Sequence, residues 1–144
     1  MKTVHEVLAH KDNRIRSVHP EDSVYDAIRS MADHEVGALL VMVDGNLVGI
    51  ISERDYARKV ILRDKASKHT SVAEIMTREV INASAHDLVR DCVAKMKQHH
   101  IRHLPVIDSG AVVGMLSLRD LFSCIIEDQA STIDQMQHYI RGEV

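Results

Sequence analysis

The heptapeptide Gly-Met-Leu-Ser-Leu-Arg-Asp at residues 114–120 has a counterpart, Gly-Ile-Ile-Ser-Glu-Arg-Asp, at residues 49–55. Each begins with an apolar run that ends in a serine, and each continues with an arginine and an aspartate. This order is typical of a strand that turns into a helix, with serine at the N-cap and a carboxylate in the first turn. One such stretch would mean little, but two at a fixed spacing indicate that the whole chain is built from repeats.

The repeat extends well beyond the heptapeptide. Residues 23–61 align with residues 88–126 without a gap, and 13 of the 39 positions are identical, whereas chance at this composition would give about 2–3. The identical pairs are Val24/Val89, Asp26/Asp91, Met31/Met96, His34/His99, Leu39/Leu104, Val41/Val106, Gly45/Gly110, Val48/Val113, Gly49/Gly114, Ser52/Ser117, Arg54/Arg119, Asp55/Asp120 and Ile61/Ile126. Two copies with a long period predict a pseudo-symmetric pair, since a solenoid needs at least three stacked units.

Each copy shows the same succession of patterns. Apolar residues with the spacing of one helix face come first, at Val24, Ala27, Ile28 and Met31 and again at Val89, Cys92, Val93 and Met96. Short apolar runs predict paired strands at residues 38–43 and 47–51, and at residues 104–107 and 112–116, with turns at 44–46 and 108–110. Helices are predicted at about residues 53–62 and 118–127, and short strands at residues 15–18 and 80–83. The sequence therefore predicts an α+β fold with a hairpin in each copy.

The repeat also sets the predicted domain boundaries. We place repeat 1 at residues 1–66, repeat 2 at residues 67–130 and a helical tail at residues 131–144. The segments that open the copies, residues 3–8 and 71–76, are similar in type but offset by 68 positions instead of 65. The tail has Ile133, Met136 and Ile140 on one helix face. Two interpretations stay open: it packs on its own core or on a second subunit, or it docks a dedicated partner.

Composition excludes several classes of function. A net charge of −3, an aromatic content of 3% and the absence of tryptophan argue against a nucleic-acid surface. No apolar run approaches the roughly 20 residues of a membrane span, and the first residues contain no apolar signal core. Cys92 and Cys124 are too few for a disulfide framework and are expected to be buried, which favours a reducing, cytoplasmic setting.

The duplicated Ser-x-x-Asp can serve two purposes. In the structural interpretation it is a capping box, in which the serine oxygen and the carboxylate satisfy backbone N–H groups at the helix start. In the functional interpretation, a rigidly held carboxylate accepts hydrogen bonds from the two hydroxyls of a ribose, and the serine adds a third. Because an aspartate repels phosphate, any phosphate would have to lie near arginine or histidine instead.

The two copies resemble a known family, the cystathionine-β-synthase (CBS) domains. The resemblance is carried by the helix, strand, turn and strand ending in Gly-x-x-Ser-x-x-Asp, by Ile-Arg-His-Leu-Pro-Val-Ile-Asp at residues 101–108, and by Glu-Ile-Met-Thr at residues 74–77. It covers about residues 3–127, and the chain resembles a stand-alone CBS pair with no catalytic domain left over.

The resemblance implies a fold and a type of ligand. Each copy would be a β-α-β-β-α unit, and the two would pack sheet to sheet and form two clefts for adenosine-containing ligands: AMP, ADP, ATP, S-adenosylmethionine or NAD-type dinucleotides. For one cleft it implies Ser117 and Asp120 for the ribose, Arg102 and His103 near the phosphates, and Arg16, Val36, Gly37 and Ala38 around the base. For the other it implies Ser52 and Asp55 for the ribose, with Thr77, Ile81, Ile101 and His103 on the base side.

The two clefts are predicted to differ. Where repeat 2 has Arg102 and His103, repeat 1 has Gly37 and Ala38. We therefore expect the Asp120 cleft to hold phosphate better, because its own copy supplies a guanidinium group.

Other kinds of site are disfavoured. The histidines at 99, 100 and 103 do not have the convergent spacing of a metal site, so no metal is expected. Neither a phosphate-binding P-loop nor a dinucleotide fingerprint is present, and duplicated carboxylates are unlike a catalytic site, in which different groups converge once. We expect a non-enzymatic, homodimeric sensor that binds a nucleotide and regulates an unknown partner protein. The alternative is a dimerisation or adaptor module without nucleotide, and DNA binding is a weaker third interpretation.

Overall fold

The computed structural model describes residues 2–11 and 14–142, which form two compact units. Unit 1 contains residues 1–13, 82–108 and 113–144, and unit 2 contains residues 14–81 and 109–112. In chain order the elements are α1 (Val4–Ala9), β1 (Ser17–Val18), α2 (Val24–His34), β2 (Ala38–Val43), β3 (Asn46–Ser52), α3 (Glu53–Lys59), α4 (Val72–Ile75), β4 (Ala83–Ser84), α5 (Val89–His99), β5 (His103–Asp108), β6 (Ala111–Ser117) and α6 (Leu118–Ile140).

The two copies of the repeat have the same order of elements. In each, a short strand is followed by a helix (α2 or α5), two further strands and a final helix (α3 or α6), and the three strands form one sheet. The sheets have the orders β1-β2-β3 and β4-β5-β6. The short first strand pairs in parallel with the second in both sheets, and β2 and β3 are antiparallel. The predicted α+β class is thus confirmed. The first strands differ from the prediction. β1 is shorter than the predicted 15–18, and β4 is displaced from the predicted 80–83, of which only Ala83 lies in the strand.

Helices α2 and α5 end in the same way. The residues after them, Glu35 and His100, both have φ 54° and ψ 43°, the left-handed conformation that ends many helices. Their starts differ, because the Ser23 side chain accepts a hydrogen bond from the Asp26 N–H, whereas the equivalent position in repeat 2 is Leu88 and makes no side-chain cap. The repeat therefore conserves the helix end more closely than the helix start.

The hairpins turn through two residues with positive φ. Asp44 and Gly45 have φ 51° and 81°, and Ser109 and Gly110 have φ 51° and 80°. Positive φ at both central residues is the signature of the type I′ turn, whose twist matches that of the flanking strands. Glycine at the second of these positions explains why Gly45 and Gly110 occur in both copies.

Each unit contains the opening segment of the other repeat. Helix α1, from the start of the chain, belongs to unit 1, where the Val4 N–H donates to the Asp87 carbonyl at 2.8 Å. Helix α4, which opens repeat 2, belongs to unit 2, where the Val72 N–H donates to the Asp22 carbonyl at 2.8 Å. The domain boundaries at residues 66 and 130 follow the sequence repeat, whereas the units follow contacts, so those boundaries stay a prediction.

The core of unit 2 is aliphatic. It is formed by the buried side chains Val24, Ala27, Met31, Leu39, Val41, Ile51, Val60, Val72, Ile75 and Met76. The α2 residues of this cluster have the helix-face spacing found in the sequence, and the β2 residues alternate along the strand. Leu104 and Val106, the repeat-2 equivalents of Leu39 and Val41, are likewise fully buried.

The final helices of the two copies differ from the prediction. Helix α3 ends at Lys59 instead of residue 62 and is followed by a 3₁₀ turn over Ile61–Arg63. Helix α6 is one continuous helix to Ile140, so the expected break between a helix at 118–127 and a separate tail helix is wrong. The polar residues 128–132 interrupt the apolar pattern, but they include neither glycine nor proline and nothing there ends the helix. Residues 143 and 144 of the predicted tail lie outside the described residues.

Gly49 in β3 is required by close packing against α4. A Cβ atom at this position would lie 2.8 Å from the Met76 sulfur and 3.0 Å from the Thr77 carbonyl oxygen. Thr77 also exchanges two backbone hydrogen bonds with Ile50, at 2.9 and 3.0 Å, which holds that carbonyl in place.

We expect Gly49→Ala to lower the free energy of unfolding by about 1–3 kcal/mol, the usual cost of overpacking a tight contact. Chemical denaturation measures this change. In a double-mutant cycle, the cost of Gly49→Ala should be smaller in a Met76→Ala background by the part due to the sulfur, and the part due to the Thr77 carbonyl should remain. An unchanged unfolding midpoint in Gly49→Ala would contradict the packing described here.

Candidate ligand site

The Ser52–Asp55 pair forms a complete capping box at the start of α3. The Asp55 N–H donates to Ser52 Oγ at 3.2 Å, and the Ser52 N–H donates to Asp55 Oδ2 at 3.0 Å. Lys59, one turn further along α3, donates to Asp55 Oδ1 at 3.0 Å. Both carboxylate oxygens are therefore engaged, and the Asp55 side chain is only 13% exposed.

The Ser117–Asp120 pair repeats the box at the start of α6. The Asp120 N–H donates to Ser117 Oγ at 3.1 Å, and the Ser117 N–H donates to Asp120 Oδ2 at 2.8 Å. The same Oδ2 also accepts from Lys11 Nζ at 2.7 Å. The Asp120 side chain is 24% exposed, so this carboxylate is more accessible than that of Asp55. The capping interpretation of both sequence motifs is confirmed.

Lys11 is a site residue that the sequence analysis missed. It follows α1 and lies 109 positions from Asp120 in the chain. Its ammonium group is fixed by a second hydrogen bond, to the Met115 carbonyl at 2.8 Å. Burial raises the pKa of Asp120, but the hydrogen bonds from Lys11 and Ser117 outweigh it and hold the pKa below its ordinary value. Asp120 is thus ionised at neutral pH and able to accept hydrogen bonds from hydroxyl groups.

Arg102 and His103 lie beside the Ser117–Asp120 box within unit 1. The Leu118 N–H donates to the Arg102 carbonyl at 2.8 Å, which ties the start of α6 to the residue before β5. His103 is half-buried, and burial lowers its pKa, with Lys11 and Arg102 adding to the effect and Asp120 opposing it. At neutral pH the site therefore has two cations, Lys11 and Arg102, and a neutral imidazole.

The equivalent positions in unit 2 carry no charge. The Glu53 N–H donates to the Gly37 carbonyl at 3.1 Å, the same bond as that between Leu118 and Arg102 one repeat later. Ala38, the first residue of β2, lies opposite Ser52 in the antiparallel register. The two boxes therefore share a backbone frame and differ in the side chains beside it.

The remaining predicted residues are distributed over both units. Arg16, Val36, Gly37, Ala38, Ser52, Asp55, Thr77 and Ile81 belong to unit 2, whereas Ile101, Arg102, His103, Ser117 and Asp120 belong to unit 1. Within unit 2, the Arg16 carbonyl accepts from the Leu40 N–H at 3.2 Å, which places it beside β2. The predicted grouping of residues from both units in one cleft stays a prediction.

The described ranges 2–11 and 14–142 contain neither a cluster of metal ligands nor a membrane-spanning helix. No group of three or more His, Cys, Asp or Glu side chains there is arranged to hold a metal ion. None of the helices in these ranges is both long and apolar enough to cross a membrane. Cys92 and Cys124 are unpaired and buried, as expected, and burial raises the pKa of the Cys92 thiol to about 11.

The lowered pKa of His103 predicts a dependence of stability on pH. Its ordinary value is 6.5, and the folded state binds the proton less readily than the unfolded chain. As pH falls through 6.5, the unfolded state gains a proton that the folded state resists, so the free energy of unfolding decreases. We expect urea unfolding at pH 7.5 and pH 5.5 to show a smaller loss of stability in His103→Gln than in the unmodified chain. An exposed histidine, in His86→Gln, is the matched control and should leave the loss unchanged. An equal loss in all three proteins would refute the assignment.

The repeated fold and the paired capping boxes define a protein with two copies of one structural module. The family model that describes the CBS domain matches the chain twice, at residues 4–62 and 72–127. The chain therefore belongs to the CBS domain family, as a tandem pair.

Relatives include the CBS domain-containing protein CBSX3, mitochondrial, of Arabidopsis thaliana, which is 39% identical over 127 residues. That match covers 85% of this chain, and this chain spans only 62% of the relative. The CBS domain-containing protein YhcV of Bacillus subtilis (strain 168) is 32% identical over 108 residues, covering 75% of this chain and 76% of YhcV.

Three of the solved structures that are similar to this one are described by their identity, TM-score and coverage. A CBS-domain protein from Burkholderia ambifaria MC40-6 has 44% identity and a TM-score of 0.86, over 89% of this chain and 96% of that one. The CBS domain pair of MJ0100, solved in complex with 5′-methylthioadenosine and S-adenosyl-L-methionine, has 28% identity and a TM-score of 0.79, over 89% and 98%. PAE2072 from Pyrobaculum aerophilum, complexed with AMP, has 25% identity and a TM-score of 0.73, over 83% and 89%.

Proposed function

We propose that this protein is a non-catalytic regulatory module that binds an adenosine-containing ligand through its Ser-x-x-Asp boxes. The observation that carries the proposal is the geometry at Asp120, an ionised carboxylate held in a fixed orientation by Ser117, with Lys11 on its Oδ2 and Arg102 acting on the neighbouring His103. Support also comes from MJ0100 and PAE2072, whose structures contain adenosine-type ligands. The class of ligand is therefore AMP, ADP, ATP, S-adenosylmethionine or an NAD-type dinucleotide.

The groups at Asp120 have complementary tasks. The carboxylate and the Ser117 hydroxyl suit the vicinal hydroxyls of a ribose, which need acceptors. Lys11 and Arg102 suit a phosphate, because charge-assisted hydrogen bonds from ammonium and guanidinium groups are stronger than neutral ones. The neutral His103 contributes a hydrogen bond without a further charge. The base would contact the predicted residues Arg16, Val36, Gly37 and Ala38.

The Asp55 box is the weaker site in this proposal. Lys59 already pairs with its Oδ1, and the neighbouring positions are Gly37 and Ala38 where repeat 2 has Arg102 and His103. A ribose there would have to displace the Lys59 contact or share the carboxylate with it. We expect this site to bind a phosphorylated ligand less tightly than the Asp120 site, with Thr77, Ile81, Ile101 and His103 toward the base.

The proposed mechanism is a shift of population between conformations. A ligand that binds one conformation more tightly than another favours that conformation, and a partner protein that distinguishes the two then responds. The protein is proposed to be a cytoplasmic homodimer. We expect no catalytic activity, since its carboxylates are duplicated and each is used to cap a helix. The competing function is a dimerisation or adaptor module that binds no nucleotide.

Thermal unfolding with a panel of ligands tests the proposal. The panel is AMP, ADP, ATP, NAD, NADH and S-adenosylmethionine, each at several concentrations. A ligand present at 100 times its dissociation constant should add about 2.7 kcal/mol to the free energy of unfolding. Guanosine, which keeps the ribose, is the control for the identity of the base, and inorganic phosphate is the control for phosphate alone. If no member of the panel raised the unfolding temperature, the adaptor function would replace the sensor.

A further inference from the structure

Helix α6 exposes an apolar stripe between residues 122 and 140. The helix ends at Ile140, 13 residues beyond the end of the second CBS match at residue 127. The exposed members of the stripe, with their exposed fractions, are Phe122 (48%), Ile126 (63%), Ile133 (57%), Met136 (60%) and Ile140 (81%). Thr132, Gln135, Met136, Tyr139 and Ile140 line a shallow, mainly apolar depression on the same part of the helix. This surface lies outside the two Ser-x-x-Asp boxes, and the proposed function names no contact surface for the homodimer.

The stripe follows the spacing of a coiled coil. Phe122, Ile126, Gln129, Ile133, Met136 and Ile140 are separated by four, three, four, three and four residues. This alternation is the 3.5-residue period of a heptad seam and not the broader face of a helix packed on a globular core. With Ile126 at position a, isoleucine occupies all three a positions, and Phe122, Gln129 and Met136 occupy the d positions.

We infer that residues 122–140 of α6 pair with the same segment of a second copy of this chain, as a parallel two-stranded coiled coil. β-Branched residues at the a positions favour two strands. A depression between side chains on this face, such as the one around Met136 and Ile140, is the kind of hole that receives a side chain from the facing helix. The inference is independent of nucleotide binding.

The charges on α6 are compatible with self-association. The positions that flank the seam, e and g, are Ser123, Ile125, Ala130, Thr132, Gln137 and Tyr139, none of which is charged. The acidic residues Glu127, Asp128 and Asp134 occupy the outer positions b and c. Two copies can therefore approach without like charges meeting across the seam.

Gln129 favours the parallel orientation. In a parallel pair in register, the d position of one copy faces the same position of the other, so the two Gln129 amides can hydrogen-bond to each other. In an antiparallel pair centred on the stripe, Gln129 would face Ile133 and its amide would be buried without a partner, which is costly. A polar residue in a seam commonly sets register in this way.

The same charges argue against a membrane surface as the occupant. Helices that lie on membranes carry lysine and arginine on their polar face, which attract anionic lipids. Here the polar face carries Glu127, Asp128 and Asp134, which an anionic bilayer would repel. A second copy of the chain therefore fits this face better than a bilayer does.

Sedimentation equilibrium of the full chain tests the pairing. The seam is short, about 28 Å at 1.5 Å per residue, so the whole protein and not a peptide should be used. We expect a dimer whose dissociation constant rises about tenfold or more in Ile133→Asp, because a charge replaces a central apolar contact. Ser131→Asp places the same charge on the outer face at position f and should leave the dimer unchanged. Equal dissociation constants for the two variants, or a monomeric unmodified chain, would overturn the inference.

Oxidative cross-linking tests the orientation. Gln129→Cys should give a disulfide-linked dimer on non-reducing gels, whereas Ser131→Cys on the outer face should not. Cys92 and Cys124 are buried and serve as the background in both proteins. A lack of preference between the two variants would rule out the parallel seam. Co-sedimentation with vesicles of phosphatidylcholine and phosphatidylglycerol, if it were lost in Ile133→Asp, would overturn the inference in favour of a membrane.

Discussion

Asp120→Ala is expected to weaken the binding of AMP by roughly 10- to 100-fold, since each hydrogen bond to a charged group contributes about 1.5–3 kcal/mol. The carboxylate is the ribose acceptor in the proposed site, and the alanine variant retains both cations beside it. Isothermal titration calorimetry measures the affinity directly. This is preferable to thermal shift for the variant, because the same substitution also removes the Asp120 half of the capping box, the hydrogen bond from the Ser117 N–H, and lowers stability by itself.

Two matched variants make this result interpretable. Asp55→Ala removes the carboxylate from the capping box of the other copy and should have the smaller effect on AMP, because that copy has Gly37 where repeat 2 has Arg102. Asp134→Ala removes a carboxylate from the exposed part of α6 and should have no effect. If Asp55→Ala abolished binding and Asp120→Ala did not, the ranking of the two sites would be reversed. If AMP bound equally to all three variants, the ribose role of both aspartates would be lost.

Leu39→Ala is expected to lower the free energy of unfolding of unit 2 by about 2–5 kcal/mol. Leu39 is 0% exposed and belongs to the aliphatic core of unit 2. The loss combines the transfer free energy of the deleted atoms with the free-energy cost of the cavity that they leave. Within the described part of the chain, the buried cluster around Leu39 contains no aromatic side chain that could fill this cavity. Chemical denaturation monitored by circular dichroism gives the value.

Leu62→Ala is the control for this prediction. Leu62 is 77% exposed, so the same substitution there should change stability by less than about 0.5 kcal/mol. Leu104→Ala, at the equivalent buried position of unit 1, should resemble Leu39→Ala. A small effect in Leu39→Ala would show that β2 does not anchor the core as described.

Local patterns made much of the fold predictable. The capping boxes at Ser52 and Ser117 depend on residues three apart, and the type I′ turns depend on glycine at a fixed place, so a single sequence contains the necessary information. The duplication then supported each prediction a second time. The helix ends were less predictable, because the polar stretch at 128–132 looks like an interruption although no residue in it breaks a helix.

Contacts between distant segments could not be predicted. Lys59 reaches Asp55 from one helical turn away, and that spacing was visible in the sequence. Lys11 reaches Asp120 across 109 positions, from a segment with no distinctive pattern. The membership of α1 and α4 in their units was equally hidden, because the two opening segments are so similar that either could complete either unit. The lowered pKa of His103 depends on burial and on Lys11, and so required the structure.

The placement of α1 and α4 has a consequence for the origin of the chain. Each unit is completed by the opening helix of the other repeat, through equivalent hydrogen bonds at Asp87 and Asp22. An ancestral polypeptide with a single repeat, folded in this way, would have had to exchange its first helix with a second molecule. Gene duplication would then have turned an intermolecular exchange into an intramolecular one. It would also have freed the two copies to diverge, so that one carries Arg102 where the other carries Gly37.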